Sequence, residues 1–156
     1  MRIVLGATFV VILAVLDQAS KYLVLSYLKT SPGYVFDISS FLSLVVAWNR
    51  GISFGMFGGY DQYSNMVFIV INSAVICYLL YLMTTKISKQ TFWSYSLIAG
   101  GAIGNVYGRV TKGAVYDFIY FHIGEYGFPA FNLADSFIFI GVCLIVYEMF
   151  LESRRK

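Results

Sequence analysis

The chain has 156 residues, of which 59% are hydrophobic, 19% aromatic and only 12% charged, with a mean hydropathy of +0.74. A soluble domain carries about a quarter of charged residues, so an ordinary soluble globule, a disordered chain and a nucleic-acid binder are excluded, and a single integral membrane domain over residues 1–156 is expected. A net charge of +3 gives no reason to expect a polyanionic partner, and Cys77 and Cys143, each inside an apolar stretch, are too few for a disulfide framework.

In chain order, the first apolar stretch runs from Ile3 to about Leu28. Arg2 before an apolar run suits a secretory signal, but no small-x-small cleavage site follows, so a retained helix is expected. Asp17 and Lys21 lie at i and i+4 and share a face, with Gln18 and Ser20 at the same depth. At ~1.5 Å per residue, Asp17 is about 21 Å beyond Ile3, in the outer half of the membrane. A structural ion pair is as good a reading of these two as a catalytic role. Residues 29–63 form an outer loop rich in aromatic rings, which suit the membrane interface. Within it, Phe41 to Trp48 reads as a strand, and Gly51 to Gly59 as a turn or short interfacial helix that closes over a substrate.

The second span covers 64–83 and the third 92–107. The third is short and holds Ser94, Ser96 and three glycines. Gly101, Asn105 and Arg109 share one face at its outer end, and Gly100, Gly104 and Gly108 share the next, a small-xxx-small pattern for close helix packing. The outer loop 108–130 contains a second strand, Ala114 to Phe121, on which alternation groups Asp117 with Val115 and Ile119. His122, the sole histidine, reads as a solvated loop residue, so a zinc site of the HExxH kind is excluded. The fourth span covers 131–151 and runs inward. Asn132 and Asp135 are one turn apart at its outer end, and Asp135 reads as too deep for a simple cap.

Arg2, Lys86, Lys89, Arg154, Arg155 and Lys156 fall on one side if both termini are cytoplasmic, which sets the orientation. The loops 29–63 and 108–130 then face outward and form a small sheet on the membrane surface. Asp17, Lys21, Asn49, Asn105, Arg109, Asp117, Asn132 and Asp135 all reach the outer interface by topology, from separated segments, as the parts of a site do. Two carboxylates that share one proton can activate water and polarise a peptide carbonyl, so Asp117 and Asp135 suit an aspartic-protease arrangement. A small transporter, or a structural membrane protein held by a polar packing cluster, are the competing readings. A transporter site is expected nearer the midplane.

The runs DQASK (17–21), NRGISFG (49–55), GGAIGNVYGR (100–109), VYDFI (115–119) and FNLADS (131–136) together resemble lipoprotein signal peptidase, or signal peptidase II. The resemblance implies four transmembrane helices with a small extracytoplasmic β-sheet cradle. It implies an aspartic endopeptidase of the bacterial inner membrane; a monomer, with no cofactor and no metal, is expected. Its substrates would be diacylglyceryl-modified prolipoproteins, cut N-terminal to the lipidated cysteine, and globomycin would inhibit it. Asp117 and Asp135 match the catalytic acids. Asp17, Lys21, Asn49, Gly51, Asn105, Arg109, Asn132 and Ala134 match positions that line the site. One position departs from the pattern GNxxDR: Gly108 stands where an acid is expected. Arg109 is then expected to turn to Asp117 or Asp135, lower its pKa and weaken the enzyme.

Overall fold

A backbone that crosses hydrocarbon must close its own hydrogen bonds, and the apolar runs do so as helices. The computed structural model describes residues 1–51 and 61–154. Four helices lie among them: α1 (Arg2–Leu28), α2 (Asp61–Met83), α3 (Lys89–Lys112) and α4 (Leu133–Ser153). The expectation for the glycine-rich run lies outside the described residues beyond Gly51, as do Arg155 and Lys156 from the charge comparison.

Helices α1, α2 and α4 are long and apolar enough to cross a membrane, and they expose residues such as Val15, Val70 and Phe139. Helix α3 is 24 residues long, about 36 Å at ~1.5 Å per residue, and extends past both ends of the expected span. It is less apolar for a physical reason: it packs against α1, α2 and α4, so much of its surface meets protein. Ser94 and Ser96 are fully buried and donate to the carbonyls of Gln90 and Phe92 one turn back. Gly101 and Gly104 admit their neighbours closely, since a Cβ would come within 2.4 Å of the Ala134 carbonyl oxygen or of Asp17 Oδ2.

At one end of the bundle, Arg2 donates to the carbonyls of Ile87 and Ser88, and Glu148 accepts from Ser88 and Thr91. The start of α1, the turn after α2 and the end of α4 therefore share that end. The sheet sits at the other. Its strands are β1 (Val35–Ser39), β2 (Leu42–Asn49), β3 (Val115–Ile123) and β4 (Tyr126–Gly127), antiparallel in that order. The two expected strands are β2 and β3; β1 and β4 are additional.

Two expectations are corrected here. His122 is not a solvated loop residue: it is half-buried on β3, pairs with Gly127, and its ring stacks on Tyr120. Alternation also fails at the start of β3, where Val115, Tyr116, Asp117 and Phe118 are all buried. Helices α1 and α3 pack against this strand, so its burial is not confined to one face.

Candidate active site

The segment before α4 is zipped onto β3. Phe118 and Ile119 donate their N–H groups to the Phe131 carbonyl at 3.0 and 2.8 Å, and Phe131 N–H donates to the Ile119 carbonyl at 3.0 Å. This pairing fixes the next residue, Asn132, beside Asp117. Asn132 is fully buried and is the N-cap of α4. Its Nδ2 donates to Asp117 Oδ1 at 2.6 Å, and its backbone N–H donates to Asp135 Oδ2 at 3.1 Å. One residue thus holds both carboxylates.

Asp135 is not too deep to cap the helix, contrary to expectation. The helix starts at Leu133, so Asp135 is its third residue, and Asn132 and Asp135 form a reciprocal capping box. Capping occupies one carboxylate oxygen. The other, Oδ1, accepts from Asn105 Nδ2 at 2.7 Å. The second oxygen of Asp117 accepts from Asn49 Nδ2 at 3.1 Å.

A further layer orients these amides. Lys21 Nζ donates to Asn105 Oδ1 at 2.9 Å and to Asp17 Oδ2 at 2.8 Å. Asp17 is fully buried; it also accepts from Gln18 Nε2 and, through Oδ1, from the N–H of Ala134 at 3.1 Å. Asp17, Lys21, Asn49, Asn105, Asp117, Asn132, Ala134 and Asp135 therefore form one connected network. Gly51 joins it by donating its N–H to Asn49 Oδ1 at 3.0 Å.

Arg109 departs from the expectation that it turns to an aspartate. Among the described residues the ion pair is Lys21–Asp17. The Arg109 guanidinium lies over the Phe68 ring, 4.6 Å from its centroid, and Nη1 donates to Asn65 Oδ1 at 3.4 Å. The route from Gly108 to a weakened pair through an Arg109 ion pair is therefore not the arrangement found. Nor is Asp117 held low. Its carboxyl is pushed up to about 6, first by burial. The Asn49 bond opposes this and the Asp135 charge adds to it, while the Asn132 bond and the Lys21 charge pull it down. A buried carboxyl with that value sits where proton transfer near neutral pH is efficient.

Sequence reasoning missed Asn65 and Phe68 on α2. The available signal was an amide near the outer end of an otherwise apolar span. It also missed a serine–histidine contact: Ser43 Oγ donates to Asp37 Oδ1 at 2.5 Å and meets His122 Nε2 at 2.8 Å. The single Ser43 hydrogen goes to Asp37, so Ser43 accepts from the histidine and is not activated as a nucleophile. A cavity of about 540 Å³, lined by Phe121, Phe128, Phe131, Phe139, Ile140, Asp135 and Ser136, lies between β3 and α4. It brings Asp135 to the wall of an almost wholly apolar space.

Comparison with known proteins gives a consistent result. A family model described as signal peptidase (SPase) II matches residues 9–151. The lipoprotein signal peptidase of Rickettsia akari (strain Hartford) is 45% identical over 143 residues, covering 92% of this chain and 73% of that protein. That of Rickettsia felis is 44% identical over 149 residues, covering 96% and 76%. A bacterial membrane enzyme solved by the in meso method at 2.3 Å resolution superposes with a TM-score of 0.80 at 29% identity, covering 97% of this chain and 90% of that one. Another, at 1.9 Å resolution, superposes with a TM-score of 0.77 at 30% identity, covering 92% and 91%.

Proposed function

This chain belongs to the signal peptidase II family of aspartic proteases, and from that premise we propose that Asp117 and Asp135 are its catalytic pair. It is an endopeptidase that removes signal peptides from prolipoproteins in a bacterial membrane. The observation that carries the assignment is that Asn132 donates a hydrogen bond to each carboxylate, at 2.6 and 3.1 Å. It makes the two acids one unit.

The shared proton rests on Asp117, whose burial disfavours its charge. Asp135, at the cavity wall, takes a proton from water as the water oxygen attacks the scissile carbonyl carbon. Asp117 gives its proton to the carbonyl oxygen, forming a tetrahedral diol. The proton on Asp135 then passes to the departing amide nitrogen, the C–N bond breaks, and Asp117 recovers its proton from the diol.

The scissile bond is the one N-terminal to a diacylglyceryl-modified cysteine, and the apolar cavity beside Asp135 takes acyl chain. Exposing each methylene to water would cost about 0.8 kcal/mol, and an apolar cavity spares that cost, so the lipid need not leave an apolar medium to reach the acids. All four helices cross the inner membrane, with α3 shielded by the others, both termini in the cytoplasm and the sheet outside. The enzyme works as a monomer and is blocked by globomycin. Asp117→Asn and Asp135→Asn should each abolish cleavage of a lipidated precursor while the protein still inserts into membranes. Cleavage by either variant would overturn the assignment.

A further inference from the structure

Arg109 is 7% exposed, and its partners among the described residues are neutral. Nη1 donates to Asn65 Oδ1 at 3.4 Å, Asn65 Nδ2 donates back to the Arg109 carbonyl at 3.2 Å, and the guanidinium lies over the Phe68 ring. Asn65 and Phe68 are one turn apart on α2, so they grip the residue from one helix face. The Phe68 ring presses on Gly51. There φ is +116°, and a Cβ would approach the ring to 2.9 Å. Gly51 in turn bonds Asn49, the partner of Asp117. The grip on Arg109 and the setting of Asp117 are thus mechanically joined.

A carboxylate in place of Asn65 would cancel the guanidinium charge. A neutral amide and a ring face hold its position and leave the charge uncancelled, where it acts on both Asp117 and Asp135. The charges then balance simply. Lys21 offsets Asp17 and Arg109 offsets one of the two acids, so these groups sum to zero when the pair holds one proton. Direct contact between Arg109 and either acid would favour loss of that proton.

We propose that Asn65, with Phe68 behind it, is a positioning residue that keeps Arg109 close to the aspartate pair but off it. This rests on the reading of Asp117 and Asp135 as the catalytic acids. Without Asn65, Arg109 swings onto a carboxylate and the pair loses its acid member.

The test uses the full chain in detergent with a lipidated precursor. Asn65→Ala carries no charge change, yet kcat should fall about tenfold with KM nearly unchanged, as for loss of a hydrogen bond to a charged group. Among the described residues, Asp17, Lys21 and Arg109 are charged groups that face the pair or its amides. With Arg109 newly in contact, the bell-shaped pH–rate profile should move to lower pH by about one pH unit. In an Arg109→Lys background, Asn65→Ala should change kcat by less than about twofold, because the two residues act as one. Equal losses in both backgrounds, or a profile that shrinks without moving, would overturn the proposal. If Asn65→Ala fails to fold, Asn65→Ser and Phe68→Leu take its place. If Arg109→Lys has no measurable rate, the pH profile alone decides. Continued cleavage by Asp117→Asn would instead sink the catalytic assignment, so the two failures are distinguishable.

Discussion

Asp117 should cost the protein stability at the pH where it works. Its carboxyl is raised from the ordinary 3.8 to about 6, and at ~1.36 kcal/mol per pH unit this is about 3 kcal/mol. Asp117 is only 3% exposed, so solvent screening does little to reduce the figure. Below pH ~4 the carboxyl is protonated in the folded and the unfolded chain alike, and it contributes nothing to pH dependence. Between ~4 and ~6 the folded protein keeps a proton that the unfolded chain has released, so stability falls as pH rises, and above ~6 the whole penalty is present. Asp117→Asn removes this titration. The variant sets an amide N–H against a donor from Asn49 or Asn132, which adds an offset, but that offset does not depend on pH. The difference in unfolding free energy, variant minus parent, should therefore rise by about 3 kcal/mol between pH 3.5 and 7.5. Chemical unfolding in detergent at several pH values measures it. A difference that stays flat, or falls with pH, refutes the claim that Asp117 is held as a buried acid.

Lys21→Met leaves Asp17 as an unpaired buried charge and should lower stability by about 3–5 kcal/mol; adding Asp17→Asn should recover most of the loss, read by unfolding. Gly104→Ala places a Cβ 2.4 Å from Asp17 Oδ2, and should destabilise by about 1–3 kcal/mol, with cleavage reduced because Asp17 anchors Ala134. Gly108→Asp should leave the cleavage rate unchanged, since Arg109 is already held by Asn65; a marked gain would show that the missing acid does weaken this enzyme.

Much of this arrangement was legible in the residues, and the failures have physical causes. Apolar runs gave the helices, and topology alone sent Asp17, Asn105, Asp117 and Asp135 to one end. The ends of α3 were cut short because hydropathy is blind to polar end turns. Yet Ser88 accepts from the Thr91 N–H and Gly113 closes the helix at φ +71°. The Asn132 to Asp135 spacing carries a capping-box signature that shows only when the helix begins at Leu133 rather than at 131. Strand β1 is short and mostly exposed, so its pattern is weak. Asn65 stands out only as an amide in an apolar span; its role lies in Arg109 opposite, 44 positions away, which spacing along one helix does not reveal.

The Asp17–Lys21 pair shows how a membrane site can avoid the choice between bland and catalytic. Lys21 has only donors, so Asn105 must turn its oxygen toward the ammonium, and its Nδ2 is then aimed at Asp135. Asp17 holds Lys21 and, through its second oxygen, the N–H of Ala134 beside the cap. The pair therefore sets the direction of an amide and the seat of a helix, without touching the reacting atoms. Amides then do what ions would do badly in a low dielectric. Asn49, Asn105 and Asn132 give the two acids four hydrogen bonds between them and add no charge that would fix either in one protonation state. On this logic Lys21→Met and Asn105→Ala should depress cleavage to the same extent once corrected for the folded fraction. The double variant should be no worse than either single one, because both break the same chain of orientation.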